Sequence, residues 1–421
     1  MIAFHYPPCA ISSGLQRTLS FSIHLRRHNW HPIVLSVRPW AFVHSDAGQL
    51  GDIPDDVRVS RVPALDATRH LAIRGRFLRR LTVPDPWWTW RFTAIPEGMQ
   101  LIRRHGIDLI WSTYPIATAH RIGATLARLS GKPWVADFRD PMVEHFPETG
   151  ETFPKDPAIR AARLKIEALV ARRAAAAVFC TDSARDIFTE RYAGFPGGNL
   201  DVIPNGYEEG MFAELPAPSV PGARRRRILL HSGTIYPGMD RDPTQLFRAL
   251  RSLAGEGLIS PEDFELRLRN PAHVDYFKKL IHDEGVAELV SIMPSLPYRE
   301  ALAEMQEADA LLVLQGLTSN PAVPAKLYEY LRARRPLIAL VHPAGETAKT
   351  LQRDGIDSTA PLTDPLAIAG LLRRWLGNPA ALEAALPTPE VVATHSRQAL
   401  TERLAARFDR IMTTRKQHGL D

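Results

Sequence analysis

Short apolar runs alternate with amphipathic segments along most of the chain, and this alternation restricts the possible folds more than any other feature. Segments typical of a buried strand and its following loop lie at residues 2–6, 30–37, 107–115, 133–141, 177–181, 200–206, 227–234, 264–268, 289–293, 311–314 and 336–341. Segments with helical spacing separate many of them, among them 16–27, 119–128 and 158–177. Such an order predicts parallel sheets covered by helices, the doubly wound α/β class.

A proline-rich stretch at residues 213–222 interrupts the alternation near the middle of the 421-residue chain. Proline-rich segments are semi-rigid and solvated, as linkers between domains are. We therefore predict a first domain at residues 1–212, a linker at 213–223 and a second domain at 224–388. The final segment, 389–421, is predicted to form a helix that packs back on the first domain. Two Rossmann-like domains would then face each other across a cleft.

Composition points to the interior of the cell. The two cysteines, Cys9 and Cys180, form no disulfide framework and lack metal-ligand spacing. The amino terminus has no basic region followed by a long apolar stretch, and no run of about eighteen apolar residues occurs. We expect a cytoplasmic protein without a transmembrane helix.

The positive charge of the chain suggests polyanionic partners. The net charge is +6 and the isoelectric point is about 9.4. In residues 69–92, arginines alternate with apolar side chains and precede a cluster of tryptophans, Trp87, Trp88 and Trp90. This pattern is typical of contact with an anionic membrane surface. The alternative is a helix packed on the domain with the tryptophans in its core. Nucleic acid is not expected, because no aromatic platforms follow the basic residues along a strand surface.

The stretch 319–336 carries the strongest chemical signal. It follows an apolar strand at 308–314, and Pro324 suits the first turn of a helix that must end before Pro336. Lys326 is then placed in the first turn, where backbone N–H groups already favour an anion. Glu329 lies one turn further on the same face. This arrangement could hold a diphosphate and accept hydrogen bonds from ribose hydroxyls.

A second loop of the same domain, 231–236, is expected to face this helix across the strand ends. Gly233 allows close backbone approach, Thr234 offers a hydroxyl and Arg241 can reach a phosphate. Asp240 and Asp242 flank the arginine, and a turn before a proline explains them more simply than a Mg²⁺ site. We therefore predict no metal.

The first domain offers charged side chains after an apolar strand: Asp137, Arg139 and Asp140. They lie at the rim of the cleft or form a structural ion pair, because charges are not buried without partners. His120, near the start of a helix, is a secondary candidate. Gly-x-Gly-x-x-Gly, Gly-Lys-Ser/Thr and nucleophile-elbow motifs are absent, which disfavours the common routes to hydride and phosphoryl transfer.

Taken together, these residues resemble the retaining glycosyltransferases of family 4, which have the GT-B fold, in the branch that makes surface polysaccharide. The matching segments cover nearly the whole chain; they are Ser13-Gly14 with Arg17, Pro84-Asp85 with Trp90, Ala119-His120, 134–141, 203–207, 233–236 and 324–331. The resemblance implies transfer of a hexose or N-acetylhexosamine from a sugar nucleotide to a glycan or lipid-linked acceptor. It implies no cofactor, and a UDP-sugar rather than a GDP-sugar as the donor.

The resemblance also implies roles for individual residues. Donor contacts are expected from Gly14, Gly233, Thr234, Asn320, Lys326, Leu327 and Glu329. Catalytic roles are expected from Lys326 and Arg241, which would neutralise the leaving diphosphate, and from Arg139 and Asp140. Acceptor contacts are expected from Asp137 and His120. The protein would work at the cytoplasmic face of the membrane, as a peripheral enzyme.

One departure from the family pattern keeps other functions open. Many members carry a glutamate eight positions before the one that corresponds to Glu329, and here that position is Pro321. The missing contact to the donor sugar would come from Ser319, Asn320 or the backbone. Two alternatives remain: a GT-B sugar-nucleotide epimerase, which would release free sugar, and a non-catalytic protein that binds sugar nucleotides.

Overall fold

A computed structural model describes residues 1–10, 13–146, 150–216, 226–238 and 240–419. The chain divides into two compact units. The first comprises Met1–Asn205 and Arg397–Asp421, and the second comprises Gly206–Ser396. The division falls seven residues before the expected domain end at 212, because Tyr207 and Phe212 pack in a core of the second unit. Residues 217–223 of the predicted linker lie outside the described residues.

The first unit is built on parallel strands: β1 (Ile33–Val37), β2 (Arg58–Val62), β3 (Ile110–Thr113), β4 (Trp134–Phe138), β7 (Ala176–Phe179) and β8 (Leu200–Val202). Strands β5 (Glu144–Phe146) and β6 (Glu151–Phe153) form a separate antiparallel pair. The helices are α1 (Ser13–His24), α2 (Trp90–His105), α3 (Ala117–Ser130), α4 (Pro157–Arg173) and α5 (Asp182–Arg191).

Ile2 joins the two parts of this sheet. It forms parallel bridges to Leu35 of β1 and to Ser112 of β3, so the order is β2-β1-Ile2-β3-β4-β7-β8. The expected strand at 2–6 is thus reduced to a single bridging residue, because the chain beyond it turns at the Pro7-Pro8 pair. The order reverses at Ile2, which is the switch point of a doubly wound sheet.

The second unit contains one six-stranded parallel sheet. Its strands are β9 (Arg227–Ser232), β10 (Phe264–Arg269), β11 (Val290–Met293), β12 (Ala310–Leu314), β13 (Leu337–Leu340) and β14 (Thr359–Ala360). Its helices are α6 (Glu209–Ala213), α7 (Thr244–Gly255), α8 (Val274–Asp283), α9 (Tyr298–Glu307), α10 (Lys326–Ala333), α11 (Glu346–Arg353), α12 (Pro365–Gly377), α13 (Pro379–Ala384) and α14 (Pro389–Ala393). The strand order β11-β10-β9-β12-β13-β14 is the Rossmann order.

Buried side chains explain why the central strands form. All five residues of β4 and all five of β12 are buried, as expected for strands of a parallel sheet covered on both faces. Helix boundaries follow local capping signals. Asp156 accepts a hydrogen bond of 2.8 Å from the N–H of Ala158 at the start of α4, which has Pro157 in its first turn.

The last helix, α15 (Arg397–Gln417), belongs to the first unit. One apolar face of this helix is buried, formed by Leu400, Leu404, Phe408 and Ile411. Arg407 also donates a 2.8 Å hydrogen bond to Asp201, the middle residue of β8. The helix begins at residue 397 rather than 389, since Thr388 caps the separate short helix α14.

Candidate functional site

The switch point of the second unit lies between β9 and β12. These strands are adjacent and parallel, with Leu229 opposite Ala310. From β9 the sheet continues in one direction to β11, and from β12 in the other direction to β14. Ligands of open α/β sheets bind beyond the strand carboxyl ends at such a point. The loops after β9 and β12 therefore form the candidate site of this unit.

Lys326 links the two loops. It is the first residue of α10, and its Nζ lies 3.1 Å from Nε2 of His231 near the end of β9. Gly233, two residues later, has a φ of +123°, and a Cβ there would lie 2.7 Å from Nζ of Lys326. Only glycine leaves this space open. The predicted approach of Gly233 and Lys326 across the strand ends is present in the structure.

Arg241 supplies a second cation to the same loops. Its guanidinium donates a 2.7 Å hydrogen bond to the carbonyl oxygen of Thr234. Its Nε forms no hydrogen bond with a described residue and lies 3.4 Å from a carboxylate oxygen of Asp240. Burial and the charge of Arg241 lower the pKa of Lys326 to about 7. The two cations therefore repel each other in the absence of a ligand, and a bound polyanion would relieve this repulsion.

The Asp-x-Asp pattern around Arg241 is occupied by local hydrogen bonds. Asp240 accepts from the hydroxyls of Thr318 and Ser319. Asp242 accepts from the N–H of Thr244 at 2.9 Å, at the start of α7. Both carboxylates thus serve to fix the loops. Within the described residues, no group of three or more His, Cys, Asp or Glu side chains could hold a metal ion.

Glu329 is buried, with 8% of its surface exposed. The phenol of Tyr298, the first residue of α9, donates a 2.6 Å hydrogen bond to its Oε1. The next residue, Tyr330, accepts a 2.8 Å hydrogen bond from the N–H of Ser232 and so fixes the end of β9, where the loop begins. The carboxylate is held in one orientation, as a group that accepts hydrogen bonds from a diol must be.

The other predicted donor-binding residues of this unit differ in what they can offer. Asn320 follows a 3-10 turn, and its side chain packs at Gly345, where a Cβ would lie 2.9 Å from Oδ1. Leu327 is fully buried, and its N–H donates to the carbonyl of Pro324 at 2.9 Å. Contact of Leu327 with the donor stays a prediction.

In the first unit, Gly14 and Arg139 are in direct contact. A Cβ at Gly14 would overlap the guanidinium of Arg139. Arg139 is 9% exposed and its Nε has no hydrogen-bond partner among the described residues. Asp140, the next residue, is exposed. The loop after β4 thus places one buried cation against the first turn of α1.

Asp137 is held by a buried ion pair. Arg17 donates to its two carboxylate oxygens at 2.7 and 3.2 Å, and the hydroxyl of Thr113 donates at 2.7 Å. Asp137 has no exposed surface. This is the structural ion pair that the sequence left open, although its partner is Arg17 rather than Arg139. Contact of Asp137 with an acceptor stays a prediction.

His120 is also fully buried. Its Nδ1 lies 2.8 Å from the hydroxyl oxygen of Ser112, which accepts a 2.8 Å hydrogen bond from the indole N–H of Trp134. Burial lowers the pKa of His120 to about 3, so the ring is neutral at pH 7. Its Nε2 has no partner among the described residues. Its expected contact with an acceptor is likewise a prediction.

Some residues that organise the site had no sequence signal of their own. His231, Tyr298 and Tyr330 act through contacts between distant segments, which no local pattern reveals. Asp85 was noted only as part of a motif, and the structure shows its role as a helix cap. It accepts hydrogen bonds of 2.8 Å from the N–H and the hydroxyl of Thr118 at the start of α3.

The segment 69–92 is irregular except for a 3-10 turn at Arg79–Thr82 and the first residues of α2. Trp90 is fully buried, in agreement with the packed alternative, and Trp87 packs against the core. Ile73, Phe77 and Leu78 are exposed by 79%, 43% and 56%. No helix among the described residues has the length and hydrophobicity needed to cross a membrane.

Comparison with known proteins agrees with this architecture. A model of the family described as glycosyl transferase 4-like domain matches residues 16–206, which lie almost entirely in the first unit. A search of curated proteins finds no significant match.

Solved structures resemble the chain over nearly its full length. HepE from Anabaena, in complex with UDP, has a TM-score of 0.68 and 14% identity, and the match covers 97% of this chain and 99% of HepE. The lipopolysaccharide outer core galactosyltransferase WaaB has a TM-score of 0.60 and 10% identity, with 98% and 99% covered.

A Listeria monocytogenes protein described as a UDP-N-acetylglucosamine 2-epimerase has a TM-score of 0.58 and 11% identity, with 97% and 95% covered. At these identities the likeness shows the fold alone. The chain therefore has the GT-B fold, with two Rossmann-like units, and its residues 16–206 match the glycosyl transferase 4-like family.

Proposed function

We propose that the protein is a retaining, metal-independent glycosyltransferase that moves a hexose or N-acetylhexosamine from a UDP-sugar to a glycan or lipid-linked acceptor. The observation that carries this proposal is the cluster at the switch point of the second unit. There Lys326, Arg241, Gly233 and Glu329 combine two cations, an open backbone and an oriented carboxylate.

Each part of the cluster suits one part of a nucleoside diphosphate. Lys326 and Arg241 would neutralise the charge that develops on the diphosphate as the sugar leaves. Gly233 would let a phosphate approach the backbone, since a Cβ would fill that space. Glu329 would accept from the ribose hydroxyls. The two cations take the place that a divalent metal has in other sugar-nucleotide enzymes.

Retention would follow from attack on the same face as departure. The acceptor hydroxyl would form its bond to the anomeric carbon as the bond to the diphosphate oxygen breaks, and its proton would pass to that oxygen. In the first unit, we assign Arg139 and Asp140 to the reacting sugar or acceptor, because Arg139 is a buried cation whose Nε has no hydrogen-bond partner in the described part of the chain. The enzyme would contribute mainly positioning and electrostatic stabilisation.

Two relatives in fold support the choice of substrates. HepE has been solved with UDP and with UDP-glucose, which favours UDP over GDP as the nucleotide. WaaB acts on lipopolysaccharide, which favours a role in surface polysaccharide synthesis.

We also propose that residues 73–80 contact an anionic membrane surface at the cytoplasmic face. Ile73, Phe77 and Leu78 are exposed beside Arg74, Arg76, Arg79 and Arg80, a combination that suits a lipid interface. Flotation with vesicles of phosphatidylcholine and phosphatidylserine tests this assignment. Binding should weaken when Ile73, Phe77 and Leu78 are all changed to Ser. It should persist in Leu366→Ser, which changes a leucine of the second unit that is more exposed than any of the three. Absence of binding in the unaltered protein would refute it.

Calorimetric titration with UDP and GDP, in EDTA and then in Mg²⁺, tests the donor site. We expect UDP to bind in EDTA, Glu329→Ala to lose at least tenfold in affinity, and Glu300→Ala, an exposed glutamate of α9, to bind normally. UDP binding that requires Mg²⁺, or a UDP affinity that is unchanged in Glu329→Ala, would contradict the assignment.

Product analysis separates the proposed transfer from epimerisation, which the Listeria likeness makes worth testing. Incubation of UDP-sugars with glycan and polyprenyl-linked acceptors should give a glycoside of unchanged anomeric configuration. Free sugar released without an acceptor would indicate the epimerase, and bound UDP-sugar without any turnover would indicate a sensor.

A further inference from the structure

His231 lies directly beneath Lys326, and its hydrogen bonds define its tautomer. Its Nδ1 lies 2.9 Å from the carbonyl oxygen of Leu312 in β12. A carbonyl oxygen only accepts, so Nδ1 carries the proton. Nε2 is then a lone-pair acceptor, and it faces Nζ of Lys326 at 3.1 Å. A neutral imidazole thus receives a hydrogen bond from the lysine.

The surroundings keep His231 in this neutral form. The ring is 1% exposed, and burial, with the charge of Lys326, lowers the pKa of His231 well below its usual value. A protonated ring would have no acceptor to offer the lysine. The imidazole therefore acts as a fixed acceptor that aims Nζ of Lys326 into the space over Gly233.

The charged groups that face Lys326 make its protonation sensitive to a ligand. Burial, with the charge of Arg241 from the loop after β9, lowers the pKa of Lys326 to about 7, whereas the charge of Glu329, on the same helix, acts to raise it. His231 contributes a neutral acceptor from β9. An anion placed between Lys326 and Arg241 would raise the pKa of Lys326, because a nearby negative charge favours the ammonium form.

We propose that His231 is a positioning residue that holds Lys326 over Gly233, and that Lys326 takes up a proton when a nucleoside diphosphate binds there. This inference rests on the donor site proposed above. It adds that Lys326 is uncharged in a fraction of the free protein molecules, and that the diphosphate and the proton bind together.

Calorimetry in buffers of different ionisation enthalpy measures the uptake directly. UDP is titrated at pH 7 and pH 8 in Tris and in HEPES, and the slope of enthalpy against buffer enthalpy gives the protons bound. We expect about half a proton per UDP at pH 7 and nearly one at pH 8, as a group with a pKa of about 7 requires. At pH 8 the terminal phosphate of UDP, with a pKa of about 6, is almost fully ionised, so it does not contribute to the measured number of protons.

Lys326→Arg identifies the group that titrates. Arginine remains charged at every pH of the titration, so this variant should bind UDP with proton uptake close to zero. Uptake that persists in Lys326→Arg would overturn the assignment to the lysine.

Two variants of His231 separate positioning from simple packing. In His231→Gln, the side-chain amide can still accept from Lys326, so affinity should stay within about threefold and uptake at pH 7 near half a proton. In His231→Leu the ammonium loses its acceptor, so affinity should fall at least tenfold and uptake at pH 7 should rise towards one. Equal behaviour of both variants would overturn the positioning role. If His231→Leu fails to fold, a tenfold loss in His231→Gln would do the same.

The outcomes distinguish this inference from the proposed function. UDP that binds without proton uptake at pH 8 would refute the coupling and leave the donor site intact. UDP that does not bind at all would refute the donor site, and the coupling with it.

Discussion

Tyr298 donates a 2.6 Å hydrogen bond to Oε1 of Glu329, from the first residue of α9 to the first turn of α10. The two residues are 31 positions apart and meet because both helices flank the switch point of the second sheet. The phenol thereby fixes the carboxylate that we assign to the ribose.

Removal of the Tyr298 hydroxyl should weaken nucleotide binding without unfolding the second unit. We expect Tyr298→Phe to lower UDP affinity about fivefold, which corresponds to roughly 1 kcal/mol for one hydrogen bond. Titration calorimetry measures the change. Tyr276→Phe, at an exposed tyrosine of α8, should bind UDP normally. A loss in Tyr276→Phe of equal size would show that the effect is not specific to Glu329.

Gly233 and Gly238 form a matched pair for testing the space beside Lys326. Both have positive φ angles, +123° and +103°. A Cβ at Gly233 would lie 2.7 Å from Nζ of Lys326, whereas a Cβ at Gly238 would meet no atom of the described residues within 4 Å, its chain neighbours aside. Both alanine variants should lose roughly 1–3 kcal/mol of stability from backbone strain.

Only Gly233→Ala should also lose UDP affinity, by tenfold or more. Thermal unfolding gives the stability change and calorimetry gives the affinity. If the two variants bind UDP equally well, the phosphate does not occupy the space over Gly233.

The sequence was informative where a local pattern determines local structure. The apolar runs predicted the two parallel sheets, and the proline before Lys326 and the one at 336 predicted α10 closely. Because strand order brings β9 next to β12, the predicted meeting of Gly233 with Lys326 is found. Residues 2–6 were predicted as a strand from the same kind of pattern, yet Ile2 alone bridges the sheet.

What the sequence did not reveal depends on side chains from distant segments. Asp137 could pair with Arg139 or face the cleft, and the pairing with Arg17 arises only because α1 crosses the end of β4, 120 positions away. The tautomer of His231 depends on a carbonyl of another strand. Leu327 matched the motif, but its burial could not be read from the motif.

The ion pair of Arg17 and Asp137 is expected to stabilise the first unit. Both side chains are almost completely buried, with 4% and 0% exposed, and removal of one partner from such a pair typically costs about 3–5 kcal/mol. Arg17→Met should therefore unfold at a much lower temperature than Arg104→Met, which changes an exposed arginine of α2. Thermal unfolding followed by circular dichroism measures both.

A double variant separates loss of the pair from loss of packing. Arg17→Met with Asp137→Leu leaves no unpaired buried charge, so it should be more stable than Arg17→Met alone. If the single and double variants unfold at the same temperature, the buried charge of Asp137 is not the cause.

His120 and His5 should make the first unit sensitive to mild acid. Burial lowers the pKa of each to about 3 in the folded chain, whereas the unfolded value is about 6.5. The folded chain holds both rings in their neutral form, so the stability that depends on these two histidines is fully present above pH 6.5. As pH falls from 6.5 towards 3, the unfolded chain binds protons that the folded chain cannot, and stability is lost. The slope is at most about 1.4 kcal/mol per pH unit for each histidine.

Urea unfolding between pH 7.5 and pH 5 measures this loss. We expect the midpoint to fall steadily below pH 6.5, and the fall to be shallower in His120→Gln, whose amide can still accept from Ser112 but does not titrate. His418→Gln, which changes an exposed histidine after α15, is the matched control and should keep the full slope. A slope unchanged in His120→Gln would mean that this ring is protonated in the folded protein, and that its Nε2 has found an acceptor.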